Sequence, residues 1–464
     1  MNFDLLVLGS GPGGYVAAIR ASQLGMKVGV VEKAELGGVC LNWGCIPTKA
    51  LLKSAQVFKY LNNAENYGVS FNGEVSADLE AMVKRSREVA DNMSKGIQYL
   101  FKKNKIEVIR GVGKIKPGKT LEVKSAEGDI KELKANHIII ATGARSRELP
   151  NLKQDGKKII GYRKALTLDK KPESMVVVGS GAIGSEFAYF YNSIGTKVTL
   201  VEFMPNIVPL EDEEISKQLA RSFKKSGVKV MTGSTVEKVD VTDDNKCSVT
   251  IKSKKGEETI EADIVLSAVG ITPNIENIGL EETGIKTSEG KIVIDEFYRT
   301  NIEGYYAIGD VTPGQALAHV ASAEAITCVE KIAGHDPGPI DYNNVPGCTY
   351  CIPEVASVGY TEKAALEAGY EIKIGKFPFM ASGKASAAGN RDGLVKVVFD
   401  KKTDELLGLH MVGDNVTEMI SEGVLGRKLK STAHDIIKSI HPHPTMAEAI
   451  MEAAAAAYDE AIHV

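Results

Sequence analysis

Cys40 and Cys45 stand five residues apart in GGVCLNWGCIPTK (37–49), and they are two of only six cysteines among 464 residues. Two thiols so placed can pack as small core side chains, supply half of a zinc site, or cycle between dithiol and disulfide. No complementary ligand pair at suitable spacing completes a zinc site. The stretch that follows, PTKALLKSAQVFKYL, has the apolar period of a helix, with Pro47 near its first turn. A helix N-terminus favours a thiolate at Cys45. Six cysteines are too few for a secreted disulfide scaffold, so a redox pair is the favoured reading and buried core cysteines the remaining one. Thiol–disulfide exchange also needs a proton acceptor. SIHPHPTMAEAIMEAA (439–454) offers His441, His443 and Glu448. Imidazole titrates in the useful range, and an acid beside it can fix its tautomer. Thr445-x-x-Glu448 is equally a capping box opening the last helix, and residue types alone leave His443 open between base and loop residue.

A dithiol that gives up electrons needs carriers, and the chain encodes two sites for them. DLLVLGSGPGGYVAAIRASQLGMKVGVVEK holds Gly9, Gly11 and Gly14 between a short apolar strand and a helical pattern, with Glu32 ending a second strand 23 residues after Gly9. SMVVVGSGAIGSEFAYFYNSIGTKVTLVEF repeats the arrangement without a gap: Gly179, Gly181 and Gly184, then Glu202 at the same spacing. In such a unit the first glycine permits a tight turn and the second admits a pyrophosphate. The third lets helix and strand touch, and the acid accepts from a ribose hydroxyl. One G-x-G-x-x-G is weak evidence; the whole strand–helix–strand–acid pattern twice is strong. Glu202 repels a 2′-phosphate, and no basic residue follows until Lys217, so NAD is favoured over NADP. FAD suits the other site, since a flavin exchanges two electrons with both a dithiol and a nicotinamide.

HIIIATGAR (137–145) and IVLSAVGITPN (264–274) read as the returning strands of the two nucleotide domains. The expected architecture is α/β, with two Rossmann-like dinucleotide-binding domains, one inserted in the other. The boundaries are 1–144 and 271–343 for the first and 145–270 for the second. A C-terminal α+β domain, 344–464, follows; LVKVVFD and LLGLHMVG alternate like antiparallel strands, and TMAEAIMEAAAAAYDEAI reads as a helix. CTYC (348–351) sits in an apparent strand, where residues three apart diverge, so it reads as structural. Cys247 and Cys328 read as packing residues.

Basic and acidic residues nearly balance, 56 against 60, which gives no field for nucleic acid and no polybasic membrane anchor. No apolar run approaches a membrane span, and the first residues read as a strand and turn rather than a signal peptide, so a cytoplasmic protein is expected.

GGVCLNWGCIPTK, the tandem nucleotide units, the IGD of YYAIGDV (305–311) and HPHPT resemble the pyridine nucleotide–disulfide oxidoreductases over the whole chain. The resemblance implies that Cys40 exchanges with substrate and Cys45 faces the flavin. It implies that Lys49 lies near the flavin and pairs with Glu186. Asp310 would bind the ribityl chain; Gly113, Thr142, Gly143 and Ala316, Leu317, Ala318 and His319 would line the FAD. Val236 and Gly270 would approach the NAD. His443 and Glu448 would act on the disulfide of the partner subunit, making a homodimer obligatory, with a cis His443–Pro444 bond. Within the family the resemblance points to members that oxidise protein-bound dihydrolipoamide, whose partners are the lipoyl domains of 2-oxo acid dehydrogenase complexes and the glycine cleavage H protein. Trp43, where a small aliphatic residue is common, departs from the pattern; no lipoyl domain is read at the N-terminus, so the lipoyl group is expected to come from another chain. The alternative is another FAD-dependent disulfide reductase acting on a glutathione-like or mercuric substrate, against which stand Glu202 and the lack of any cysteine after Cys351.

Overall fold

The run DLLVL is apolar without alternation because the strand it belongs to is covered on both faces. The computed structural model describes residues 2–464. The chain forms two compact units, each discontinuous in sequence: one from residues up to Leu51, Glu80–Arg147 and Ile271–Tyr342, the other from Leu52–Leu79, Glu148–Gly270 and Asn343–Val464.

In the first unit, β1 (Asn2–Leu8), β2 (Val28–Glu32), β3 (Glu107–Arg110), β4 (Val112–Lys116), β5 (Thr120–Lys124) and β6 (Ile130–Ile140) share one sheet in the order 3-2-1-6-5-4. The strands β3, β2, β1 and β6 run parallel. β6 is long enough to serve two neighbours on one side: Ile130–Lys134 pair antiparallel with β5, and Ile138–Ile140 pair parallel with Tyr305–Ala307. The HIII stretch thus returns beside β1, as its sequence suggests.

Helix α1 (Pro12–Gln23) opens with Pro at its first position and buries Gly13, Gly14, Ala17, Ala18 and Ala21. These small side chains let it lie close to the sheet and to the helix Ala318–Ile332. The redox segment forms α2 (Gly38–Trp43) and the start of α3 (Cys45–Asn62). A long amphipathic helix, α4 (Leu79–Lys103), holds that segment with three consecutive side chains. Arg85 donates to the Ala50 carbonyl at 2.7 Å, the buried Ser86 hydroxyl donates to the Pro47 carbonyl at 2.9 Å, and the Arg87 guanidinium lies 4.2 Å over the Trp43 ring.

In the second unit a parallel sheet of Lys229–Met231, Lys197–Val201, Ser174–Val178, Ile264–Ser267 and Ile159–Ile160, in that order, carries the helix Ala182–Ser193. A separate antiparallel sheet orders Gly347–Thr349, Glu354–Gly359, Leu406–Gly413, Leu394–Asp400 and Ile372–Pro378. Its alternating strands are buried on both faces, contrary to what their polar positions suggest. Lys396 and His410, each 1% exposed, point inward. Lys396 is neutralised by Asp212 at 2.9 Å and by Glu214 and Glu362 at 2.7 Å, side chains at the start of two helices that cover this face.

The last helix spans Glu448–Ala456, shorter than the alanine-rich run implies. Beyond it the buried Glu452 carboxylate accepts the Ile462 and His463 N–H groups and folds the tail back. Cys348 lies in the strand Gly347–Thr349 and is half-buried, whereas Cys351 falls past its end, fully buried, with Sγ 3.3 Å from the Pro353 carbonyl. Cys247 and Cys328 are fully buried among apolar side chains. Among the described residues no helix is long and apolar enough to cross a membrane.

Candidate active site

Both glycine triads form the same local structure. A Cβ on Gly9 would lie 2.3 Å from the Ala141 carbonyl oxygen, and one on Gly14 would lie 2.0 Å from the Gly9 carbonyl oxygen. The copies match: 2.4 Å from Gly179 to the Ala268 oxygen and 1.8 Å from Gly184 to the Gly179 oxygen. These four positions exclude any side chain because backbone meets backbone. Gly11 and Gly181 differ, for nothing lies within 4 Å of a Cβ on either. Each faces open space at the start of a helix, where a pyrophosphate would lie against N–H groups. Both cradles therefore fit a dinucleotide.

The acids repeat as closely. Glu32 Oε2 accepts from the Ser10 N–H at 2.9 Å and hydroxyl at 2.7 Å, and its Oε1 from the Ala34 N–H at 2.8 Å. Glu202 accepts from the Ser180 N–H at 2.8 Å, the Ser180 hydroxyl at 2.6 Å and the Met204 N–H at 2.8 Å. Three bonds fix each carboxylate and still leave lone pairs for ribose. Ser10 and Ser180 escaped the sequence reading, although GSG in both copies was the signal for them.

The first unit gathers most of the flavin-side candidates at the C-terminal ends of its parallel strands. Gly9 follows β1, Glu32 ends β2, Thr142 and Gly143 follow β6, and Asp310 lies in the single turn Gly309–Val311 beyond Tyr305–Ala307. Thr142 donates to the Asn274 carbonyl at 2.7 Å, and the Gly143 carbonyl accepts the Asn274 N–H at 2.8 Å. Gly113 is in β4, where a Cβ would meet Leu8 at 2.5 Å. Ala316 and Leu317 lead into the helix Ala318–Ile332, whose first turn holds Ala318 and His319, and Lys49 is in α3. Burial raises the Asp310 carboxyl above its usual range, opposed by Lys291.

The thiol pair sits against the first cradle. Gly38, at the start of α2, would press a Cβ within 2.6 Å of the Gly11 Cα, and the Gly37 N–H donates to the Ser10 carbonyl at 3.1 Å. Cys40 and Cys45 are in hydrogen-bond contact as thiols, and no cysteine is in a disulfide. The Cys40 proton is held well above the ordinary thiol range, first by that bond to Cys45, then by burial, with Lys49 acting against both.

The second unit carries Glu186, 4% exposed, whose Oε1 accepts the Tyr350 N–H at 3.0 Å. Val236 is buried in the strand Ser234–Val241, with its carbonyl taking the Asn151 amide at 2.8 Å, and Gly270 follows the strand Ile264–Ser267. His443, next to a cis Pro444, places Nδ1 2.8 Å from Glu448 Oε1. Glu448 Oε2 accepts the Thr445 N–H at 2.8 Å, while the Thr445 hydroxyl turns to the Pro442 carbonyl. Only the carboxylate half of the capping box forms, and one side chain serves both helix start and imidazole. Burial pushes the Glu448 carboxyl up, but the Thr445 N–H and His443 outweigh it and hold it below the usual range. The Nδ1 of His443 thus donates, and Nε2 is open to take a proton. His441 is different: both ring nitrogens are engaged at 2.9 Å, by Ser439 and Glu422, and Glu422 raises its pKa.

Residues 3–325 match the pyridine nucleotide-disulphide oxidoreductase family, and 345–454 match that family's dimerisation domain. The chain is 49% identical to a dihydrolipoyl dehydrogenase of Zymomonas mobilis, covering 100% of this chain and 99% of that one. It is 46% identical to a dihydrolipoyl dehydrogenase of Bacillus subtilis at the same coverage. Among solved structures, LpdA from Mycobacterium tuberculosis superimposes with a TM-score of 0.89 at 27% identity, over 97% of this chain and 98% of that one. Two nucleotide cradles, a thiol pair lying on one of them and full-length similarity agree: the chain belongs to the pyridine nucleotide-disulphide oxidoreductase family.

Proposed function

We propose that this chain is a dihydrolipoyl dehydrogenase, oxidising protein-bound dihydrolipoamide to lipoamide through Cys40 and Cys45 with FAD and reducing NAD to NADH. The observation that carries the reading is the contact between the two thiols on a segment packed against Gly11. In the oxidised enzyme Cys40 and Cys45 form a disulfide. A substrate thiolate attacks Cys40, forming a mixed disulfide and releasing Cys45 as thiolate. The second substrate thiol gives its proton to Nε2 of His443 of the partner subunit and displaces Cys40, which closes the lipoamide ring. Glu448 steadies the resulting imidazolium. Cys40 leaves as a thiolate, takes the proton back from that imidazolium and donates to the Cys45 thiolate, in keeping with the raised Cys40 value. When bound, FAD carries the electron pair from this dithiol to NAD.

Gly9, Gly11, Gly14, Glu32, Gly113, Thr142, Gly143, Asp310 and residues 316–319 hold FAD; Gly179, Gly181, Gly184, Glu202, Val236 and Gly270 hold NAD. Lys49 stands beside the flavin. The working unit is a homodimer, and its substrate is a lipoyl group carried by a 2-oxo acid dehydrogenase complex or a glycine cleavage H protein. The test is a steady-state assay of the purified protein with dihydrolipoamide and either NAD or NADP. NADH should form, and NADP should be poorer by at least about a hundredfold. A colourless preparation that binds no flavin, or one that reduces only glutathione disulfide or mercuric ion with NADPH, refutes the reading.

A further inference from the structure

Glu324, in the helix Ala318–Ile332, is a buried carboxylate that the reaction above leaves unused; it is 2% exposed. Its two oxygens serve different donors. Oε2 accepts the Gly309 N–H at 2.6 Å, and Oε1 accepts the Tyr342 hydroxyl at 2.6 Å. The Tyr342 oxygen in turn lies 3.1 Å from that of Tyr298, whose side chain is 1% exposed. Gly309 has φ +72°, a left-handed conformation, and the next residue is Asp310. Glu324 therefore reaches across from the helix to pin the turn that aims Asp310.

A neutral side chain would satisfy one N–H and one hydroxyl at lower desolvation cost than a carboxylate. Burial pushes Glu324 up to about 7; the bonds from Tyr342 and Gly309 act against this, the charge of Asp310 adds to it, and Lys291 opposes it. Gain of a proton need not break the clamp. Oε1–H would donate to Tyr342, whose hydroxyl would turn to Tyr298, while Oε2 kept the Gly309 N–H. The clamp survives in both states, and only the charge facing Asp310 changes.

We infer that Glu324 is a positioning residue for the flavin site, fixing the Gly309–Asp310 turn through the Gly309 N–H and bringing a switchable charge next to Asp310. The inference rests on the reading of Asp310 as a flavin ligand. FAD is anionic, so its binding favours the protonated, neutral Glu324. Retention is therefore tighter below about pH 7 and weakens as pH rises through that value. The groups facing Glu324 are Asp310, Lys291, Tyr342, the Gly309 N–H and, one turn along its own helix, the Cys328 thiol, with Tyr298 behind Tyr342.

The test follows release of FAD from the purified full-length protein, by the rise in free-flavin fluorescence, at about pH 6 and about pH 8. Glu324→Ala should release FAD at least about tenfold faster at both values. Glu324→Gln, which keeps both bonds without the charge, should restore retention and lose the wild-type acceleration between the two pH values. An Ala variant that holds FAD as the wild type does, or a Gln variant that releases it like Ala, overturns the inference. If the Ala variant does not fold, a Gln variant with the full wild-type pH response overturns it instead. A wild-type protein that takes up no FAD overturns the flavin reading itself.

Discussion

With Nδ1 of His443 committed to Glu448 at 2.8 Å, the two residues have separable roles, one chemical and one orienting. His443→Gln should lower kcat for dihydrolipoamide oxidation by about 10²–10⁴-fold. Glu448→Gln should lower it less, because the imidazole remains but its tautomer is no longer enforced. Electron flow from NADH to ferricyanide, which bypasses the thiols, should be unchanged in both. Equal loss of both activities in His443→Gln would mean damage to the fold, not to a base. At this scale the sequence exposes residues whose chemistry is rare, such as paired cysteines and a histidine between prolines. It hides residues whose chemistry is common. Ser10 and Ser180 have the same place in both copies and hold both acids, yet a serine in a glycine turn has many ordinary uses.

Helix and strand meet in the two triads at glycines of two kinds, and mutation should distinguish them. Gly14→Ala puts a methyl 2.0 Å from a carbonyl oxygen and should destabilise the protein by roughly 1–3 kcal/mol. Gly11→Ala and Gly181→Ala meet nothing within 4 Å and, compared flavin-free, should melt like the wild type. Gly11→Ala should nonetheless lose FAD, and Gly181→Ala should raise the KM for NAD by about tenfold or more while keeping the flavin. Thermal melts of the flavin-free proteins, bound flavin and KM read these out; if flavin-free Gly11→Ala melts below flavin-free wild type, or Gly181→Ala binds NAD normally, the middle glycines do not line cradles. Elements with a period were legible, and the gapless repeat located both turns. Elements decided by their surroundings were not. The strands Leu394–Asp400 and Leu406–Gly413 look half-exposed because they contain Lys396 and His410, and only the carboxylates of distant segments make those positions buriable. The alanine run after Glu448 has uniform helix propensity, so nothing in it marks where the helix stops.

For the molecule as a whole, the base poses a problem that one chain does not solve. The His443 side chain is 77% exposed and Ile440 nearby is 99% exposed, in a segment that matches a dimerisation domain. An imidazole so open to water is poorly placed to take a proton from a thiol in a closed site, and an apolar side chain so open gains by being covered. A second copy supplies both remedies if each His443 serves the thiols of the other subunit. Mixing two inactive variants tests this directly. Cys45→Ser removes the dithiol and keeps the base; His443→Gln does the reverse. In a heterodimer of the two, a site built across subunits pairs intact thiols from one chain with an intact base from the other, and its twin carries both defects. Random reassortment makes about half of all dimers heterodimers, each with one working site in two, so turnover should return to about a quarter of the wild-type value. If each base served its own chain, every site in every dimer would carry a defect, and the mixture would stay as inactive as its parts.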